Sequence, residues 1–338
     1  MTRRERVIRA LNHQESDIIP YQADFTWQEA QRIREYTGDE NFEQKCGFHI
    51  TQAGYGWFSE VAGKPEHFVD EYGVEWNRSG ADKDIGVVDH YLIEDLEENA
   101  YQFPAVLEED FRREIQRVLD GKEDRFAVAG IGFSMFERAW TLHGMENVLM
   151  DMLLCPSELE KLLDKICEYN CHLIDIGLEY DIDAFYFGDD WGQQHGMIMG
   201  AEHWRRFIKP RMARMYRKVK DAGKYVIQHS CGDIHEVFPD LIDIGLDCYQ
   251  TFQPEIYDVE EIKRTVGDHL TFWGGISTQR LLPYASPEEV RRETVRLMKL
   301  LGKGGGYIAA PTHSVPGDVP PENIMAMLDV FTHQEKYL

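Results

Sequence analysis

The stretch Tyr225-Val226-Ile227-Gln228-His229-Ser230-Cys231-Gly232 reads as a β-strand that ends in chemistry. Its apolar, β-branched start favours an extended chain, and alternation with period two sends His229 and Cys231 to the same face. Gly232 then lets the backbone turn sharply, which sets the pair at the strand's C-terminal mouth. An imidazole and a thiol aimed at one point supply two of the three protein ligands of an open zinc site. The amphipathic segment His203 to Asp221 precedes this strand and Cys248-Tyr249-Gln250 follows it. Strand alternating with helix is the signature of a parallel sheet with right-handed crossovers.

Outward from that unit the rhythm continues. Candidate strands are Ile18-Ile19-Pro20-Tyr21, Phe48-His49-Ile50-Thr51, Phe126 to Ile131 and Ala184-Phe185-Tyr186-Phe187, then Tyr225-Val226-Ile227, Cys248-Tyr249-Gln250, Leu270 to Trp273 and Tyr307 to Ala310. Helical stretches such as Glu158 to Tyr180 and Pro287 to Leu301 separate the later ones. Eight strands in 338 residues predict an α/β fold of the (β/α)8 TIM-barrel class, in a single domain spanning 1–338. The region from about 54 to 120 breaks the rhythm. Tyr72-Gly73-Val74-Glu75-Trp76 and Gly86 to Tyr91 within it predict a β-hairpin inserted after the second strand. No GxGxxG follows a first strand and no Walker-type loop occurs, which argues against a nucleotide-binding doubly wound sheet.

With 60 acidic against 36 basic residues the formal charge is −24, which speaks against nucleic-acid or anionic-membrane partners. No apolar run approaches the roughly 20 residues of a membrane span. The charged opening Met1-Thr2-Arg3-Arg4-Glu5-Arg6 is unlike a signal peptide, so a cytoplasmic protein is expected, as a monomer or homodimer. The six cysteines form no regular framework and read as reduced thiols; Cys167 and Cys171 fit core packing on a helix.

In such barrels the C-terminal strand ends build the active site. Polar side chains gather there: Gln22 and Asp24 after the first strand, Glu137 and Arg138 after the third, Asp189 and Asp190 after the fourth, Gln250 and Gln253 after the sixth, His313 after the eighth. Asp189 and Asp190 are neighbours, so one of them faces the mouth as a general base or as an orienting partner for a ligating histidine. Glu137 and Arg138 are expected to form an ion pair that shapes the pocket. Tyr55, Phe133, Trp191 and Trp273 are candidates for an aromatic lining, and Gln253 for a hydrogen bond to substrate.

The segment Gly188-Asp189-Asp190-Trp191-Gly192 through Lys209-Pro210 to His229-Ser230-Cys231-Gly232-Asp233 resembles the uroporphyrinogen decarboxylase superfamily. Trp273 to Gln279, Gly304-Gly305-Gly306-Tyr307-Ile308 and Pro320-Pro321-Glu322-Asn323 resemble its last two strand segments. The resemblance implies a (β/α)8 barrel and one of two chemistries. Uroporphyrinogen decarboxylases need no cofactor and use an Arg-rich N-terminal run with a Phe-Ser-Asp segment in the second strand. Here the corresponding strands read Tyr21-Gln22-Ala23-Asp24-Phe25 and Phe48-His49-Ile50-Thr51-Gln52, with neither feature. The corrinoid-dependent methyltransferases bind zinc through an HxC on the fifth strand plus a cysteine near the end of the eighth. His229 and Cys231 match the HxC, whereas Thr312-His313 stands where that cysteine is expected. The resemblance thus implies zinc on His229 and Cys231 and a corrinoid carried by a partner protein; His313 is a chemically competent third ligand, with Cys248 or Glu137 as alternatives.

The preferred expectation is a methyltransferase acting between such a corrinoid and a small thiol, folate or similar acceptor. The alternatives are a metal-free decarboxylase of uroporphyrinogen or a smaller polycarboxylate, relying on Asp24 or Asp189 with Arg138, and a non-catalytic barrel that binds a small molecule or a corrinoid partner.

Overall fold

The computed structural model describes residues 1–80, 85–98 and 100–338. Its strands in chain order are β1 (Ile50–Tyr55), then β2 (Phe58–Glu60), β3 (His67–Asp70), β4 (Glu75–Asn77) and β5 (Val87–Val88), followed by β6 (Phe126–Ile131), β7 (Ala184–Gly188), β8 (Gly192–Gln193), β9 (Gly196–Met197), β10 (Tyr225–His229), β11 (Cys248–Phe252), β12 (Thr271–Ile276) and β13 (Tyr307–Pro311). A curled parallel sheet runs β1-β6-β7-β10-β11-β12-β13, with helices packed outside it, in a TIM-barrel-like arrangement.

The expected first strand is only a short segment. Pro20 has no N–H to give a ladder, and its carbonyl accepts from Ala309 N at 2.9 Å while Gln22 N donates to Ala309 O at 3.0 Å. On the other side His49 N donates to Tyr21 O at 3.2 Å. Residues 20–22 therefore bond to both edges of the seven-stranded sheet, where the first strand was expected. The second strand starts later than the sequence suggested, because His49 is engaged with Tyr21 before regular pairing of Ile50 with Phe126 begins.

Alternation along the strands sorts two apolar layers. Outward side chains join the helices in the main core, while Phe126, Val128, Ala184, Ile227, Trp273 and Ile308 fill the interior. The helix Arg3–Leu11 closes the N-terminal end by adding Val7, Ala10 and Leu11 to that interior cluster. A capping box starts it: Glu5 N donates to Thr2 Oγ1, and Thr2 N to Glu5 Oε2.

The region after β1 holds more than the single hairpin expected. Residues 81–84 and 99 of the expected 54–120 insertion lie outside the described residues. Among the described ones β2-β3-β4-β5 form an antiparallel sheet, with Trp76 opposite Val88, and Glu108–Asp120 is a helix packed on β1. No helix among the described residues is long and apolar enough to cross a membrane.

Candidate metal centre

Parallel register carries the site. His229, at the end of β10, lies opposite Gly188 of β7 on one side and Gln250 of β11 on the other. Gln250 gives it a partner. His229 Nδ1 is hydrogen-bonded to Gln250 Oε1, which also accepts from the Tyr186 hydroxyl at 3.3 Å. With its hydrogen on Nδ1, the imidazole presents Nε2 to the mouth. That nitrogen lies 3.6 Å from Cys231 Sγ and 3.3 Å from Asp190 Oδ1.

Ligand atoms of His229, Cys231 and His313 all lie within 4.8 Å of one another. Tetrahedral zinc with nitrogen and sulfur ligands spaces its donors at about 3.5 Å, so the His229–Cys231 separation already fits. His313 arrives from the loop after β13, its ring centroid 5.9 Å from that of His229. Backbone bonds hold that loop in place: Val315 N donates to Asp24 O and Thr26 N to Val315 O. Cys248 begins β11 inside the lower core, at the opposite end of the strand from Cys231's level.

The turn after Cys231 admits nothing larger than glycine. Gly232 has a φ of 76°, and a Cβ there would lie 2.2 Å from the Gly192 carbonyl carbon. The two backbones cross at this point, with Asp233 N donating to Gln193 O at 2.8 Å.

The acidic neighbours divide their work. Asp190 Oδ1 accepts from Cys231 N at 2.7 Å. Burial alone would raise the Asp190 carboxyl, but hydrogen bonds from His229 and Cys231 and the histidine's charge hold it at about 2. Asp189 turns the other way, accepting from the backbone N–H groups of Met135, Phe136 and Glu137 at 3.1, 2.9 and 2.8 Å and from the Trp191 indole. Burial raises it to about 6 against those bonds. Glu137 lies beside this pair; burial and the carboxylates of Asp190 and Asp189 push it well above the ordinary range, toward the neutral acid. Burial would lower the His229 imidazole, yet Tyr186, Asp190 and Cys231 together raise it. Asp24 stands exposed at the mouth but ringed by protein, which raises its carboxyl.

A cavity of about 760 Å³ has Cys231, His313, Gln253 and Gln279 on its wall. Gln253 donates to Gln279 Oε1 at 3.0 Å. Several expected pocket residues lie elsewhere, for packing reasons. Tyr55 points out of the sheet into a buried pair with Tyr169, 2.7 Å between hydroxyls. Trp191 is fully buried against Trp204. Trp273 fills the sheet interior, and Phe133 packs edge-on to Trp76. Arg138 does not pair with Glu137: it is buried on Asp70 at 2.7 Å and Glu71 at 3.4 Å, over the Tyr72 ring. Gln22 bridges Ile50 N and Asp24 and lines a separate cavity below the mouth. The orienting roles of Gln250 and Tyr186 were not assigned from sequence. The signal for Gln250 was its place on the strand after the HxC, one register step from His229.

A profile of the uroporphyrinogen decarboxylase (URO-D) family matches residues 82–333. The chain belongs to the URO-D family. Among curated proteins, the uroporphyrinogen decarboxylase of Alkalilimnicola ehrlichii is 26% identical over 238 residues, covering 67% of this chain and 61% of that protein. That of Methylococcus capsulatus is 23% identical over 183 residues, 52% of this chain and 48% of that protein. A methylated-thiol–coenzyme M methyltransferase of Methanosarcina mazei is 21% identical over 159 residues, 47% of this chain and 41% of that protein. The chain thus spans about half the length of the curated relatives it matches. Among solved structures, a methyltransferase from Methanosarcina mazei superposes over 100% of both chains with a TM-score of 0.73 at 19% identity, a shared fold.

Proposed function

We propose that this URO-D family chain is a zinc-dependent methyltransferase, moving a methyl group between a corrinoid carried by a partner protein and a small thiol, folate or similar acceptor. One observation carries the reading: His229, Cys231 and His313 bring two imidazoles and a thiol to one point on a cavity wall. The likeness to proteins named as methyltransferases supports it. Zinc on these residues would lower the pKa of a thiol at its open position and favour the thiolate. Gln250 and Tyr186 fix the face of His229 that points to the mouth. Asp190, through the Cys231 N–H, holds the cysteine backbone in place. For a thiol acceptor, the S–H proton leaves to water through the open mouth. The new S–C bond forms as the donor's bond to methyl breaks, and the donor keeps that electron pair.

The names of most curated relatives favour a second reading, decarboxylation of uroporphyrinogen. Against it, Arg138 is committed to Asp70 and Glu71, and the described cavity lining holds no Lys or Arg for a polycarboxylate. The test is zinc-loaded protein with methylcobalamin and a thiol, following loss of methylcobalamin and gain of methyl thioether. Turnover should drop by about a hundredfold or more in Cys231→Ser. Undiminished turnover in that variant, or uroporphyrinogen decarboxylation by metal-free protein, would overturn the reading.

A further inference from the structure

The cavity that Cys231 and His313 line is walled by neutral hydrogen-bonding groups. Gln193, Gln194, Gln253 and Gln279 contribute amides, and Thr26 and Ser314 contribute hydroxyls. Apart from the two histidines beside the metal, its charged groups are of one sign: Asp318 is on the wall, with Asp24 and Asp190 beside Tyr186. The neighbouring cation, Arg280, lines a different cavity between the loop after β11 and the helix Pro287–Gly302. An anionic tail reaching past the metal leaves water, meets carboxylates and finds no counter-charge among the other described side chains of the wall. A neutral tail meets amides already in position, because the Gln253–Gln279 bond uses one donor and one acceptor and leaves others on both side chains.

Resting on the methyltransferase reading, we propose that the acceptor is a thiol with an uncharged, amide- or hydroxyl-bearing tail, recognised by the Gln253–Gln279 pair, and that thiols with an anionic tail are selected against. Specificity of this kind comes from a missing counter-charge as much as from matched hydrogen bonds.

Two thiols of equal length and shape separate the charge from the fit: 3-mercaptopropionamide and 3-mercaptopropionate. Calorimetric titration of the zinc-loaded protein should give a Kd at least about tenfold lower for the amide, a difference of about 1.4 kcal/mol. Gln279→Arg, an exposed position at the rim, should erase or invert that preference; Gln194→Arg serves the same purpose should the first variant fold poorly. Lys161→Ala, at an exposed position on the helix Pro156–Leu178 where it pairs with Glu158, is the control and should leave the preference intact. Equal or tighter binding of the carboxylate by wild type overturns the acceptor class while leaving the methyltransferase reading standing. Binding of neither thiol to zinc-loaded protein overturns both.

Discussion

His49 holds both ring nitrogens inside the protein without a hydrogen-bond partner, edge-on to Tyr21 with ring centroids 4.5 Å apart. Burial pushes its imidazole down from 6.5 to about 4, so the folded protein keeps it neutral. The unfolded chain takes up a proton at higher pH than the folded one does. Stability from this group is therefore complete above pH 6.5 and drains away as the pH falls toward 4. A span of about 2.5 pH units corresponds to on the order of 3 kcal/mol. Urea midpoints of His49→Phe, which keeps the ring and removes the titration, should vary less across this window than those of wild type; parallel curves would contradict the assignment. Nothing in the sequence marked His49, because a histidine's lack of partners is a property of its surroundings. His229 was legible because its strand, its spacing to Cys231 and the following glycine are all local.

At the scale of the element, the helix Phe136–His143 has no side-chain cap from its own N-cap residue, Met135. Asp189 supplies the cap from the end of β7, placing a carboxylate at the positive end of the helix dipole. Asp189→Asn sets an amide NH2 against those N–H donors and should cost about 2–3 kcal/mol, while zinc bound per folded chain stays the same. Loss of metal at unchanged stability would instead tie Asp189 to the site chemistry. Period-two alternation stated correctly that Asp189 and Asp190 face opposite ways. It could not say which one faces the mouth, since that depends on a helix start more than fifty residues earlier in the chain. The strands with continuous apolar runs, Phe126–Ile131 above all, were legible for the same local reason that residues 18–21 misled: Pro20 permits an extended chain but not a full ladder.

For the whole molecule, Arg138 ties the helix Phe136–His143 to the inserted sheet. Its guanidinium bonds to Asp70 and Glu71, and Asp70 also accepts from Tyr72 N, Val74 N and the Trp76 indole. Arg138→Met leaves two buried carboxylates unmatched and should destabilise by about 3–5 kcal/mol. Limited proteolysis should then cut within residues 56–98 first; cleavage spread evenly over the chain would contradict a local clamp. The sequence reading had given Arg138 to the pocket, because its partners lie in an insertion whose strands are too short and irregular to pattern. The alternation of strands and helices survives averaging over many residues and was readable, as was the gathering of polar groups at one end of the sheet.

The central claim is that His229, Cys231 and His313 form one metal centre. Zinc content by elemental analysis, on wild type, Cys231→Ser and His313→Ala purified together without chelator, tests it most directly. The account predicts about one zinc per wild-type chain and a near-complete loss in Cys231→Ser, with weakened retention in His313→Ala. Wild type that binds no zinc even after incubation with the metal, or variants that hold it as well as wild type, would contradict it.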